Sequence, residues 1–194
     1  MADLPSSRTS WLIYGTLRGA LLSLAGFLPW VFAGRALTQS IGEAGFYAVC
    51  AAVFILLSGP LLHRLLRGPR SLGRFYALFL ISFTLYSAGW TGGWLALRGI
   101  GGSALGLLLG CAAMALVFAV WFRRFGAFLP MLLALLIPQL AGYFAGQWIH
   151  ATVVQPELAK LGWGWFYGLG LGAGMAWALW LVQRAENRSE GSRS

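Results

Sequence analysis

The sequence predicts an all-α integral membrane protein: six transmembrane helices in one bundle, with both termini cytoplasmic. Three observations carry this. Hydrophobic residues make up 59% of the 194 residues and charged residues only 10%, whereas soluble domains hold about 25% charged residues. The apolar residues fall into six continuous runs, each near the ~20 residues that cross ~30 Å of hydrocarbon as a helix. The basic residues lie between the runs and mostly on alternate turns. A membrane barrel would need polar residues at every second position, and these runs do not alternate.

The spans are expected at about 11–33, 44–62, 75–97, 101–122, 127–149 and 161–183, forming a single domain over 1–185. The first apolar run is longer than the 7–15 residues of a signal-peptide core, so it reads as a retained span. The second ends in Ser58-Gly59-Pro60, and the fifth carries Pro130 and Pro138. The tail 186–194 is polar, rich in small residues, and expected to be disordered.

Six spans put the N-terminus, the loop 63–74, Arg123-Arg124 and the tail on one side. That side collects ten basic residues: Arg8, Arg64, Arg67, Arg70, Arg74, Arg123, Arg124, Arg184, Arg188 and Arg193. The other side receives three, Arg35, Arg98 and Lys160. The positive-inside rule therefore makes the first side cytoplasmic, in a cell membrane read as the bacterial inner membrane. Trp11, Trp121, Trp177 and Trp180 fall near the inner ends. Trp30, Trp90, Trp94, Trp148, Trp163 and Trp165 fall nearer the outer ends, as interfacial aromatic belts would. The formal net charge of +9 points to anionic lipid headgroups and not to nucleic acid, with Arg64, Arg67, Arg70 and Arg74 as the lipid-contacting residues. Gly68-Pro69 breaks that loop into a turn.

Small residues recur at intervals of four: Gly15, Gly19 and Ser23; Gly102, Gly106 and Gly110; Gly142 and Gly146; Gly164, Gly168 and Gly172. Such ridges let helix backbones approach closely, as in a glycine zipper. They serve packing inside the bundle, a sliding interface, or contact with a partner subunit or a second copy. Cys50 and Cys111 read as small apolar residues. In size, in its six spans and in the ridge on its first helix, the chain is similar in outline to the substrate-binding subunits of energy-coupling-factor vitamin transporters. That resemblance is architectural and implies a role for no particular residue.

Polar residues within the spans are the candidate substrate-binding set. Thr84, Ser87 and Thr91 share a helix face. Gln139 follows Pro138, which frees a backbone carbonyl near the midplane, and Gln147 lies two turns above. A polar stripe facing a Pro-interrupted helix is one way to line a solute site. Arg18 lies about two turns inside the first span, where it either snorkels to the inner surface or faces the interior and binds an anion. No carboxylate lies within a span, so an intramembrane proton relay is not expected. His63 and His150 fall at opposite ends and read as interfacial. There is no HExxH, GxSxG or acidic pair at metal-binding spacing, so no catalytic residue, metal site or cofactor is expected.

The leading functional expectation is a small transporter, permease or substrate-binding transport subunit for a small solute. The alternative is a non-catalytic subunit or lipid-binding scaffold of a larger membrane complex. A third is an integral enzyme gripping lipid-linked anionic substrates through the arginines of the loop 63–74.

Overall fold

The structure, a computed structural model, describes residues 7–191. It contains helices α1 (Arg8–Leu62), α2 (Ser71–Leu97), α3 (Gly99–Trp121), α4 (Phe128–Thr152) and α5 (Pro156–Gly191), with short 3-10 turns at His63–Leu65 and Phe125–Ala127 and no strand among the described residues. This is an all-α membrane protein. Five stretches are long and apolar enough to cross a bilayer: Arg8–Glu43, Gly45–Leu65, Gly99–Trp121, Phe125–Thr152 and Pro156–Arg184. Helix α2 has 27 residues but is interrupted by Thr, Ser, Tyr, Trp and Gly, and these lower its apolarity below that of the five. The helical backbone of α5 runs on to Gly191. Residues 192–194 of the tail expected to be disordered lie outside the described residues.

α1 is two helices. The chain reverses at Gly42, whose φ of 75° and ψ of 173° break an otherwise continuous helix. That φ is strained for an L side chain and costs glycine nothing. The residues before it, Arg35, Thr38, Gln39 and Ser40, stay helical despite their polarity. The two arms then run antiparallel. The Tyr14 hydroxyl donates to the Leu61 carbonyl at 2.8 Å, and the Phe54 ring covers Gly26.

α5 lies at the centre, packed between the first arm of α1 and α4, while α2 and α3 form a separate hairpin. In the span of α5, 56% of the apolar window is buried, against 22% in the first arm. Its run of small residues explains the position: Gly15 and Gly19 of α1 meet Gly168 and Gly172 of α5, backbone on backbone. Gly142 and Gly146 of α4 face Phe166, Gly170 and Trp163 on the opposite side. In the hairpin, Gly89 and Gly93 of α2 meet Gly106 and Gly110 of α3. The glycine faces are thus covered by the chain's own helices.

The hairpin joins the rest through aromatic stacking. Phe75, Phe79, Phe83 and Tyr86 rise along one face of α2 with ring centroids 5.7, 5.1 and 6.1 Å apart. Phe54 of α1 lies parallel to Phe83 at 5.0 Å. Below this ladder, Pro60 lacks the N–H that would bond the Leu56 carbonyl one turn back. The Tyr76 hydroxyl donates to that carbonyl instead, at 2.6 Å, and its ring lies over Gly59. Tyr76→Phe should therefore strand the carbonyl and lower stability by about 1–2 kcal/mol. Thermal denaturation in detergent reads this, and an unchanged midpoint would remove Tyr76 from the role.

Among the described residues, three turns contain an arginine with positive φ: Arg70 (φ 54°, ψ 34°, left-handed helical), Arg98 (φ 55°, ψ 174°) and Arg123 (φ 52°). A positive φ costs an L-residue about 1–2 kcal/mol. Arg98 recovers part of that by stacking on Trp94 at 4.3 Å.

Candidate functional site

Two ends of the bundle are distinguishable. At one, Arg67 stacks on Trp11 at 5.1 Å and Arg8 lies 5.3 Å from both Trp177 and Trp180. The loop 63–70 is held there by Gln183. Its Nε2 donates to the carbonyls of Leu65 and Leu179, both at 2.9 Å, and its Oε1 accepts from the Arg67 N–H at 2.7 Å. At the other end, Trp30, His150 and Trp163 form a cluster with centroids 5.2–5.9 Å apart.

Between these ends lies a buried polar network. Gln139, only 1% exposed, donates from Nε2 to the Tyr86 hydroxyl at 3.3 Å. Tyr167 donates to the same hydroxyl at 3.3 Å. α2, α4 and α5 thus converge on one phenol oxygen. Nearby, the hydroxyls of Ser103 (α3) and Tyr143 (α4) lie 3.2 Å apart. Aromatic contacts carry the network to the Trp30 end. Tyr143 lies 6.3 Å from Trp90 and 6.0 Å from Trp163, and Phe27 bridges Tyr167 to Trp163 at 6.3 and 6.2 Å.

Among the described residues, the buried side-chain polar atoms without a partner are Trp11 Nε1, Ser23 Oγ, Trp90 Nε1, Gln139 Oε1, His150 Nδ1 and Trp163 Nε1. Three of these six, Trp90 Nε1, Gln139 Oε1 and Trp163 Nε1, belong to residues joined to this network, and His150 Nδ1 lies in the Trp30 cluster beside it. A stranded donor or acceptor in apolar surroundings costs about 1–3 kcal/mol. Buried polar atoms of this kind pair with ordered water where they do not pair with the protein or a ligand.

The sequence-predicted residues divide. Gln139 is in the network. Gln147 is half-buried two turns along the same helix, and Ser87 is half-buried beside Tyr86. Thr84 and Thr91 are exposed on the outer face of α2. Arg18 is exposed too, and its guanidinium lies 5.6 Å from the ring of Tyr14, one turn nearer the Arg8 end. The structure therefore does not bring Arg18, Thr84 and Gln139 together. Of the loop arginines, Arg64, Arg70 and Arg74 are exposed, whereas half-buried Arg67 is turned onto Trp11. His63 bonds the Gly59 carbonyl at 2.8 Å, far along the chain from His150 and its tryptophans.

Tyr86, Tyr143, Tyr167, Ser103, Trp90 and Trp163 were not singled out by sequence, and His150 read as merely interfacial. One signal was present. Tyr86–Trp90, Gln139–Tyr143 and Trp163–Tyr167 are each spaced by four, so each pair shares a helix face. Comparison with protein-family models, with curated proteins and with solved structures gave no significant match.

Proposed function

We propose that this membrane protein binds a small, flat, largely neutral solute between α1, α2, α4 and α5, as a transporter or as the solute-binding subunit of one. The observation that carries this is the concentration of unpartnered buried groups: Gln139 Oε1 as an acceptor, the Trp90 and Trp163 N–H groups as donors, and the rings around them. A ligand with an aromatic or planar body and at least one donor and one acceptor satisfies all three. On this reading all six helical segments cross the membrane, α2 included. The end bearing Arg8, Arg64, Arg67, Arg70, Arg74, Arg123, Arg124 and Arg184 faces the cytoplasm, as the positive-inside rule requires, and the membrane is the bacterial inner membrane.

The test is a ligand-dependent thermal shift in nanodiscs across a broad panel of planar solutes, followed by uptake in vesicles. Gln139→Leu should leave the apo melting temperature nearly unchanged, because the cost of the stranded acceptor goes together with the 3.3 Å bond to Tyr86, whose oxygen still accepts from Tyr167. It should also abolish the shift produced by any ligand. Trp163→Phe keeps an aromatic ring, although a smaller one, drops the N–H, and should weaken the ligand by about tenfold, the weight of one buried hydrogen bond. Thr84→Ala should respond as the wild type does. A panel without any responder, or equal responses in wild type and Gln139→Leu, would overturn the proposal.

A second reading, as a subunit of a larger membrane complex, is favoured by one observation: Thr84, Ala88, Thr91 and Gly92 are all exposed on α2. Small and hydroxyl residues on a lipid-facing surface suit a partner helix. Mild-detergent purification separates the readings, since a lone monomer argues against the second.

A further inference from the structure

Two of the three cations at the Trp30 end line one cleft. Its volume is about 300 Å³, and Arg35, Thr38, Gln39 and Trp30 of α1, Phe46 across the Gly42 turn, and Lys160 of α5 form its walls. Arg35 is exposed and Lys160 half-buried. The Lys160 ammonium lies 5.0 Å from the Trp30 ring. The third cation of this end, Arg98, is engaged elsewhere, over Trp94. Among the described residues no ion pair joins Arg35 or Lys160 to a carboxylate.

Basic residues at this end work against the charge asymmetry of the chain, so topology gives no reason for them. Two cations lining one solvent-open cleft make its potential positive, which favours an anion between them. The remaining walls suit such an anion. Gln39 supplies an amide donor, and Trp30 and Phe46 an apolar floor for whatever carries the charge, while the Thr38 hydroxyl is committed to the Gly34 carbonyl at 2.8 Å. The arginine fork and the lysine point charge are the two side chains that best grip phosphate or carboxylate oxygens.

We infer that this cleft is an anion-binding site, taking a phosphate or carboxylate group between Arg35 and Lys160. The group belongs either to a free solute or to a lipid headgroup at this face of the bilayer. The site shares Trp30 with the aromatic cluster but not Gln139, so it stands or falls independently of solute binding in the buried network. Binding draws Lys160 off the Trp30 ring and toward the anion.

The experiment has two arms, both on the full chain in nanodiscs. In the first, the discs contain phosphatidylcholine only, and inorganic phosphate and acetate are titrated calorimetrically. In the second, the discs contain phosphatidylglycerol, and native mass spectrometry counts the lipids retained. Each arm compares wild type with Arg35→Gln, Lys160→Gln and the charge-conserving Arg35→Lys. If the source is a free anion, the first arm shows saturable binding, weakened about tenfold in each Gln variant and largely kept in Arg35→Lys. If it is a lipid, the first arm is silent and wild type retains one more phosphatidylglycerol than either Gln variant. Both results support the site. Silence in both arms, or Gln variants indistinguishable from wild type in a responding arm, overturns it. Because both side chains reach the surface, the variants should fold, and their melting temperatures in phosphatidylcholine discs check this.

Discussion

Gly172→Val should yield little or no folded protein. A Cβ at position 172 would run into the Gly15 carbonyl oxygen and would sit 2.8 Å from the Gly19 Cα and 3.0 Å from the Gly15 carbonyl carbon. Each obstacle is backbone, so no rotamer change relieves the clash. Ordinary overpacking costs about 1–3 kcal/mol because side chains can yield. Here α1 would have to move off α5 along the whole crossing, and the loss should exceed ~4 kcal/mol, a large part of a stability of ~5–15 kcal/mol. The yield of monodisperse protein by size-exclusion chromatography measures it. The control is Gly92→Ala in α2, where an added Cβ meets nothing within 4 Å. That change should be neutral or raise stability by up to ~1 kcal/mol through helix propensity. Equal yields from the two variants would mean that the α1–α5 crossing is not as tight as described.

Gln183→Leu should loosen the loop 63–70 while leaving the bundle assembled. The side chain is 3% exposed, and its amide makes two bonds that tie the loop to α5, from the Arg67 N–H and to the Leu65 carbonyl. Leucine fills the space but strands the Arg67 N–H and the Leu65 carbonyl. At ~1–3 kcal/mol for each stranded group, the expected loss is about 3 kcal/mol. Hydrogen exchange should rise at residues 63–70 and remain slow within the helices. Gln183→Glu, which keeps an acceptor for Arg67 but loses the donor to Leu65, should fall between. Unchanged exchange in the loop would show that Gln183 is a bystander.

The contrast between these two positions shows what was legible in the sequence. Gly172 belongs to a ridge visible at a spacing of four, and small residues mark the faces where helices meet. Gln183 carries no such mark. It lies at the end of an apolar run, and its partners are backbone atoms more than a hundred positions away. Hydrophobic periodicity could not help, because a helix in a bilayer is apolar toward lipid and toward its neighbours alike. For that reason the all-α membrane class was readable, but the direction each face points was not. Thr84 and Thr91 looked like a site lining because they share a face, and that face is the exposed one. Gln139 was found because polarity inside a span is rare. Its tyrosine partners were hidden among aromatics that equally fit an interfacial belt. Pro60 was read within the last turn of its span, which does end at Leu62, but that Tyr76 would take up the carbonyl it frees was not readable.

The turn at Gly42 has a further consequence. Unbroken, the 55 residues of α1 would make a rod of about 82 Å at ~1.5 Å per residue, nearly three times the ~30 Å of a hydrocarbon core. One glycine dihedral converts that rod into a hairpin with no slack. A long loop would let its two arms drift, rotate and be threaded separately. A leash of a single residue makes them one object, which can enter, turn and leave its place in the bundle only as a pair.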